Sequence, residues 1–415
     1  MRLIKNRIFL VLTGLFCITA AAQTSVETPA PATLVFNNTY AFDYKHNSLS
    51  GLGADFLRGV TANSQFVLFG EEHMDYEVPR FAAALFSMLH NAHDFSILVV
   101  EQDPVAMEDA LAPDRRGSAE KMALWANTYP SLFEFDSDQD LEFIAMVSGL
   151  VSGPNAIWGI EQSTGVARYL DELAKLAPNE PARDAARQLL AEVWQADPGP
   201  TYSVNFLADL NSPAKLDALA QQFDADPSSR AGSLLLGLTT SAEIFGYYTR
   251  AVQGEYVGLY NNTVREAWMK QQFRSYYLAV AADGSMPKAM FKFGSNHMVH
   301  GRNLTQAFPT GNLAHELAIM NGADAYGLMV LPFGPDYVDY ATGLPAALRP
   351  LLPVSAPLEP TLVDLRALRR FQKLFHQQLE PVHKQEMLTY LHGYDAIVLL
   401  PNSKPATYTL GGRRR

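Results

Sequence analysis

Six short, unbroken apolar runs constrain the fold of this chain more than any other feature. They cover residues 66–69, 97–100, 156–160, 289–293, 325–331 and 396–400. A strand with one wet face alternates apolar and polar residues, whereas a strand covered on both faces is apolar at nearly every position. Between the first two runs lies 78–90, with Phe81, Leu85, Met88 and Leu89 at helical spacing. Strand, helix, strand is the unit that builds parallel sheets with right-handed crossovers. The expected fold class is therefore α/β, a mostly parallel central sheet flanked by helices. The stretch 168–277 reads as helical throughout, broken by Pro178, Pro198, Pro200, Pro213 and Pro227. It is expected to form a helical insertion or cap on the sheet.

The first 22 residues read as a signal peptide. Arg2, Lys5 and Arg7 precede an apolar run from Ile8 that ends in Ala20-Ala21-Ala22. Residues 23–33, rich in Thr, Pro and Ala, are expected to be a linker, and 34–412 a single α/β domain. Export to the periplasm or the medium follows, with no membrane insertion after cleavage. Cys17 is the one cysteine and falls inside the apolar run, so the mature chain has no disulfide, no thiolate metal site and no Cys nucleophile. Apolar residues make up 48% of the chain, which places it among globular proteins. Without Arg2, Lys5 and Arg7, the 32 basic residues become 29 against 43 acidic ones, a net charge of −14. That balance argues against nucleic acid and anionic membranes as partners.

Chemistry concentrates just beyond the apolar runs. Run 66–69 leads into Gly70-Glu71-Glu72-His73, and run 289–293 leads into Gly294-Ser295-Asn296-His297. In both, a strand turning at Gly would place an imidazole at the end of the sheet. Run 97–100 leads into Glu101, and run 156–160 into Glu161. Open parallel sheets bind ligands outside the carboxyl ends of their strands. Each residue alone has a bland reading as a helix cap or loop charge; their joint occurrence favours a site. Two imidazoles among carboxylates suit general acid–base work, or a divalent metal with N and O ligands. Arg265 either offsets these acids or pairs on the surface with Glu266. Tyr247, Tyr248, Tyr256, Tyr260, Tyr276 and Tyr277 cluster around the Arg265 segment and either line an amphipathic cleft or pack between helices. His300 is assigned a supporting place or an exposed one. A Gly-x-Ser-x-Gly elbow, a P-loop and His-Glu-x-x-His are absent from the sequence.

Taken in order, Gly70-Glu71-Glu72-His73, Val99-Val100-Glu101, Gly159-Ile160-Glu161, Arg265-Glu266-x-x-Met269 and Gly294-x-x-His297 resemble the superfamily of erythromycin esterases, TraB/Tiki proteins and ChaN-like haem-binding lipoproteins. The first motif has the Tiki and ChaN spacing, one residue shorter than in the esterases. Glu161 stands where the esterases often carry Asp. The resemblance implies an exported hydrolase of a small-molecule or peptide substrate, cleaving an ester, lactone or amide. It makes His73 the base that activates water and Glu101 the group that orients it. It has His297 polarise the substrate carbonyl and Arg265 shape the anionic side, with Glu71 and Glu161 completing the cluster. The Tiki branch implies instead a metal-dependent peptidase with His73, Glu101 and His297 as ligands of a divalent metal. The ChaN branch implies a binding protein for haem or an iron ligand, with His297 or a cap Tyr as axial ligand.

Overall fold

The computed structural model describes residues 29–412, apart from 46, 152, 154, 155, 200, 201, 258, 259 and 283. The signal peptide expected over 1–22 lies outside the described residues. The expected linker ends early. A helix starts at Pro31 and runs over Pro31–Asn37, burying Leu34 and Val35. Proline at the first helical position costs no hydrogen bond and presets φ, so residues 31–33 open a helix instead of extending the linker.

The strands in chain order are β1 (Thr39–Ala41), β2 (Asp43–Lys45), β3 (Ser48–Ser50), β4 (Ser64–Glu71), β5 (Ile97–Val100), β6 (Ile157–Gly159), β7 (Ala289–Gly294), β8 (Asp324–Pro332), β9 (Thr361–Asp364) and β10 (Ala396–Leu400). Among the described residues, eight of them form one sheet in the order β1-β9-β10-β8-β4-β7-β5-β6, and β2 pairs with β3 alone. The six strands from β10 to β6 are mutually parallel. They are the six apolar runs. The protein is thus α/β with a mostly parallel sheet, as expected. The edge strand β1 and its neighbour β9 are antiparallel to the strands they join. Both are short and carry Thr or Asp, so no apolar run marks them.

The unbroken apolarity has its reason in the layers. Along β4, Val67 and Phe69 enter one core, while Phe66 and Leu68 enter the other. Helix Glu77–His93 covers the first face. Helices Tyr260–Ala281 and Pro381–Gly393 cover the second. The helix between β4 and β5 forms as expected, yet these two strands do not touch. β7, nearly two hundred residues later in the chain, lies between them.

Between β6 and β7 the chain is helical, with a third core of its own that includes Leu170, Leu173, Leu189, Leu216 and Leu238. The last helix of this stretch, Tyr260–Ala281, departs from it. Met269 and Phe273 pack into the sheet core instead. This helix is therefore a layer of the sheet domain, and it carries Arg265 to the carboxyl end of the strands.

Candidate active site

Four parallel strands deliver the ionisable groups. The register of β4 on β7 pairs Glu71 with Gly294, and β5 flanks β7 on its other side. Glu71 and Glu101 therefore stand on either side of Gly294. Neither motif glycine has a positive φ, so the expected sharp turn is not why glycine is there. The reason is close approach. A Cβ on Gly294 would lie 2.6 Å from His73 Nε2 and 3.4 Å from Glu101 Oε2. A Cβ on Gly70 would lie 3.0 Å from Tyr394 Oη and 3.1 Å from the Ser295 Cα. The His73 imidazole crosses the end of β7 in the space a side chain at 294 would fill.

Glu101 is the centre of the cluster. Its Oε2 accepts the Gly294 N–H at 2.6 Å and faces His73 Nε2 at 3.5 Å. Its Oε1 accepts Arg265 Nη2 at 2.8 Å and faces His297 Nε2 at 3.4 Å. Arg265 also donates to both oxygens of Glu161, through Nε at 2.9 Å and Nη2 at 2.8 Å. Bidentate pairing of this kind suits the flat guanidinium fork. Glu161 is fully buried. Burial alone would raise the Glu101 carboxyl; His297, His73 and Arg265 override it and hold the group down at about 2.

The two imidazoles flank Glu101 in different surroundings. His73 Nδ1 meets Glu71 Oε1 at 3.1 Å, and the ring stacks on Phe135 with centroids 4.1 Å apart. Burial disfavours its charge, but Glu101 and Glu71 lift it to about 9. His297 is buried, and its Nδ1 meets Glu266 Oε1 at 2.6 Å. Glu266 accepts in turn from the Thr310 backbone at 2.8 Å and its hydroxyl at 3.0 Å. Burial opposes the charge on His297 too, and Glu101 and Glu266 raise its pKa nonetheless. Both ring nitrogens of His297 face carboxylates. The same holds for His73, but His73 borders the cleft described below and His297 is not among its lining residues. His300 lies away from the cluster, stacked on His315 with Glu316 at 3.8 Å.

Several further groups of the cluster have no role assigned from the sequence. Lys292 is buried in β7 and donates to Glu71 Oε1 at 2.8 Å and Asp140 Oδ1 at 2.9 Å. A lone Lys inside an apolar run was the visible signal, since a buried ammonium needs carboxylate partners. Glu266 follows Arg265 directly, and successive helical side chains diverge by roughly 100°, so Arg265 reaches Glu101 and Glu161 while Glu266 reaches His297 and Thr310. Glu134 and Phe135 precede helix Asp138–Leu150 in a loop that no pattern distinguishes.

A cleft opens against this cluster. Its inner part, about 310 Å³, is bordered by His73, Glu101, Glu134, Phe135, Arg265 and Tyr408. Its outer part, about 770 Å³, runs under the helical insertion past Ile244, Phe245 and Tyr248. Glu134, Tyr202 and Arg265 border both parts. Of the tyrosines anticipated around Arg265, Tyr248 lines the cleft. Tyr276 stacks on Trp158, and the Tyr277 hydroxyl oxygen accepts from Asn321 Nδ2 at 2.8 Å.

The fold and this geometry can be set beside known structures. An erythromycin esterase mutant in its open conformation superposes with TM-score 0.54 at 14% identity, covering 86% of this chain and 95% of that one. The chain has the erythromycin esterase fold. A succinoglycan biosynthesis protein gives TM-score 0.55 at 12% identity, over 91% of this chain and 97% of that one. A protein from Bacillus cereus gives 0.53 at 12%, over 91% and 98%. No family model and no curated protein matches the sequence. At these identities the shared property is the fold.

The residues do not fit the metal expected at His73, Glu101 and His297. Both Glu101 oxygens are engaged by donors, one of them a guanidinium, and a dication would sit against that positive charge. Among the described residues no group of three or more His, Cys, Asp or Glu side chains is arranged to hold a metal ion. Nor does His297 fit as an axial haem ligand, since neither ring nitrogen is directed at the cleft.

Proposed function

We propose that the protein is a hydrolase of esters, lactones or amides, with His73 as the base that activates water. The observation that supports it is the line Glu71–His73–Glu101, whose His73 and Glu101 border the cleft while Glu71 is buried behind them. Glu71 fixes the ring through Nδ1, leaving Nε2 beside the space that the cleft shares with Glu101. A carboxylate that orients an imidazole and offsets its charge is what general-base catalysis by His requires. Arg265, anchored on Glu161, borders the cleft as the cationic wall for a developing oxyanion. His297 acts through Glu101, holding its carboxylate in place. The outer cleft is large and mostly apolar, which suits a small molecule or a peptide with an apolar body. Export by the signal sequence belongs to the same reading.

The test is substitution. His73→Ala and Glu101→Ala should each lower kcat/KM on a cleaved ester by about 10²-fold or more, with the fold retained by circular dichroism. Turnover unchanged in either variant would remove His73 or Glu101 from the mechanism.

A further inference from the structure

Hydrolysis needs a proton donor as well as a base, because an alkoxide or amide anion is a poor leaving group. His73 cannot serve both ends of the bond at once. One other acid borders the cleft without being consumed by the ion-pair network. Glu134 lines both its inner and outer parts, beside Arg265 and Tyr202. Its Oε2 is shielded from solvent and has no hydrogen-bond partner in the protein. Its backbone is fixed: Glu134 N–H donates to Gln102 Oε1 at 2.9 Å, and Gln102 Nε2 donates back to the Phe135 carbonyl at 2.6 Å. This double clasp ties the Glu134-Phe135 loop to the residue after Glu101. The acid is thus held at a set distance from the base, which stacks on Phe135.

We propose that Glu134 is the catalytic proton donor to the leaving group, an assignment that rests on the hydrolase reading above. A buried polar atom without a partner is costly unless something completes it. Here the leaving oxygen or nitrogen of the substrate would. Burial, reinforced by Glu161 and Glu101, pushes this carboxyl up to about 8, with Arg265 and His73 opposing. The donor is therefore protonated at neutral pH, while Glu101, one residue cluster away, is ionised. The step balances. His73 takes a proton from water as the new C–O bond forms. The tetrahedral intermediate then collapses, the bond to the leaving group breaks, and the Glu134 proton goes to the departing atom. The proton on His73 afterwards returns to the Glu134 carboxylate through the cleft, and both groups are reset.

Leaving-group chemistry separates this role from a structural one. The probes are p-nitrophenyl butyrate, whose phenolate leaves unaided, and ethyl butyrate, whose ethoxide needs a proton. With Glu134→Gln, turnover of the ethyl ester should fall about 10²-fold or more, and that of the nitrophenyl ester by no more than about threefold. Glu134→Asp, which keeps the acid, should retain ethyl ester turnover within about tenfold of the wild type. Equal losses on both esters in the Gln variant, or no loss on either, would overturn the assignment. A wild type that turns over neither ester would overturn the hydrolase reading, and the assignment with it. A check independent of turnover is the infrared band of a neutral carboxyl at pH about 7, expected in the wild type and missing from Glu134→Gln. An unchanged difference spectrum would show Glu134 already ionised and sink the proposal.

Discussion

Glu101 gathers charge from three separate stretches of chain, and that makes the site sensitive to pH in a predictable sense. Its carboxyl is held at about 2 against an ordinary 4.5. A depressed acid stabilises the fold above its unfolded value and loses that contribution as pH falls from about 4.5 towards about 2. His73 has the opposite sign. Its pKa is raised from 6.5 to about 9, so its contribution is complete below 6.5 and fades as pH climbs through about 9. Tm measured by calorimetry should be highest between these limbs, and Glu101→Gln should flatten both, since each partner loses the other. Activity has its own dependence. Neutral His73 is scarce at pH 7, so kcat/KM should rise between about pH 6 and about pH 8. A flat or falling profile over that interval would contradict a base at His73. Gly294 makes a second test at this scale. Gly294→Ala forces His73 aside, because the new methyl would sit 2.6 Å from its Nε2. The ring can rotate away, so Tm should change little while kcat drops about 10²-fold.

At the scale of elements, β7 is where structure and chemistry are hardest to separate. Met290 enters one core and Phe291 and Phe293 the other, and Lys292 takes its place between them as a cation. Removing one member of a buried, paired set leaves the remaining charges uncompensated. Lys292→Met should cost about 3–5 kcal/mol in urea unfolding, a larger loss than any single surface change. The six parallel strands were legible from the pattern of apolar runs, because each is buried on both faces and shows no alternation. Four strand-end residues, His73, Glu101, Glu161 and His297, were legible for the same reason: the strands announce where they stop. β1 and β9 were not, being too short to make a pattern. Glu134 and Phe135 were not either. They sit in a loop, and only the clasp with Gln102 gives them a position. The part each imidazole plays was also beyond the sequence. Both follow Gly by three residues, and only in the fold does it emerge that His73 borders the cleft while Glu266 and Glu101 enclose His297.

At the scale of the whole molecule, the segment after β10 runs back across the sheet end and borders the cleft with Tyr408. Asp138, at the start of helix Asp138–Leu150, pins it. Its carboxylate accepts from the Thr407 and Thr409 hydroxyls and from the backbone N–H groups of Thr409 and Leu410, each at 2.8 or 2.9 Å. Asp75 holds the beginning of the same segment through the Ser403 hydroxyl at 3.2 Å. Asp138→Ala should loosen this wall without opening the cores. The expected outcome is a KM raised on the order of tenfold with kcat less affected, and faster proteolytic nicking near residue 408. A variant with unchanged KM would show that the segment is no part of substrate binding.

The place of β7 also has a consequence for how the molecule assembles. β4 and β5 are made early but leave a gap one strand wide, and the strand that fills it arrives only after the entire helical insertion. Until then two parallel edges stay unpaired, each a template for mispairing with another chain. Closing so long a loop before its contacts form is slow. When β7 does slot in, it brings Gly294 between the two acids and Lys292 under them in one event. The closing of this gap and the first competent arrangement of His73 are then the same step, so folding intermediates that lack β7 should be inert.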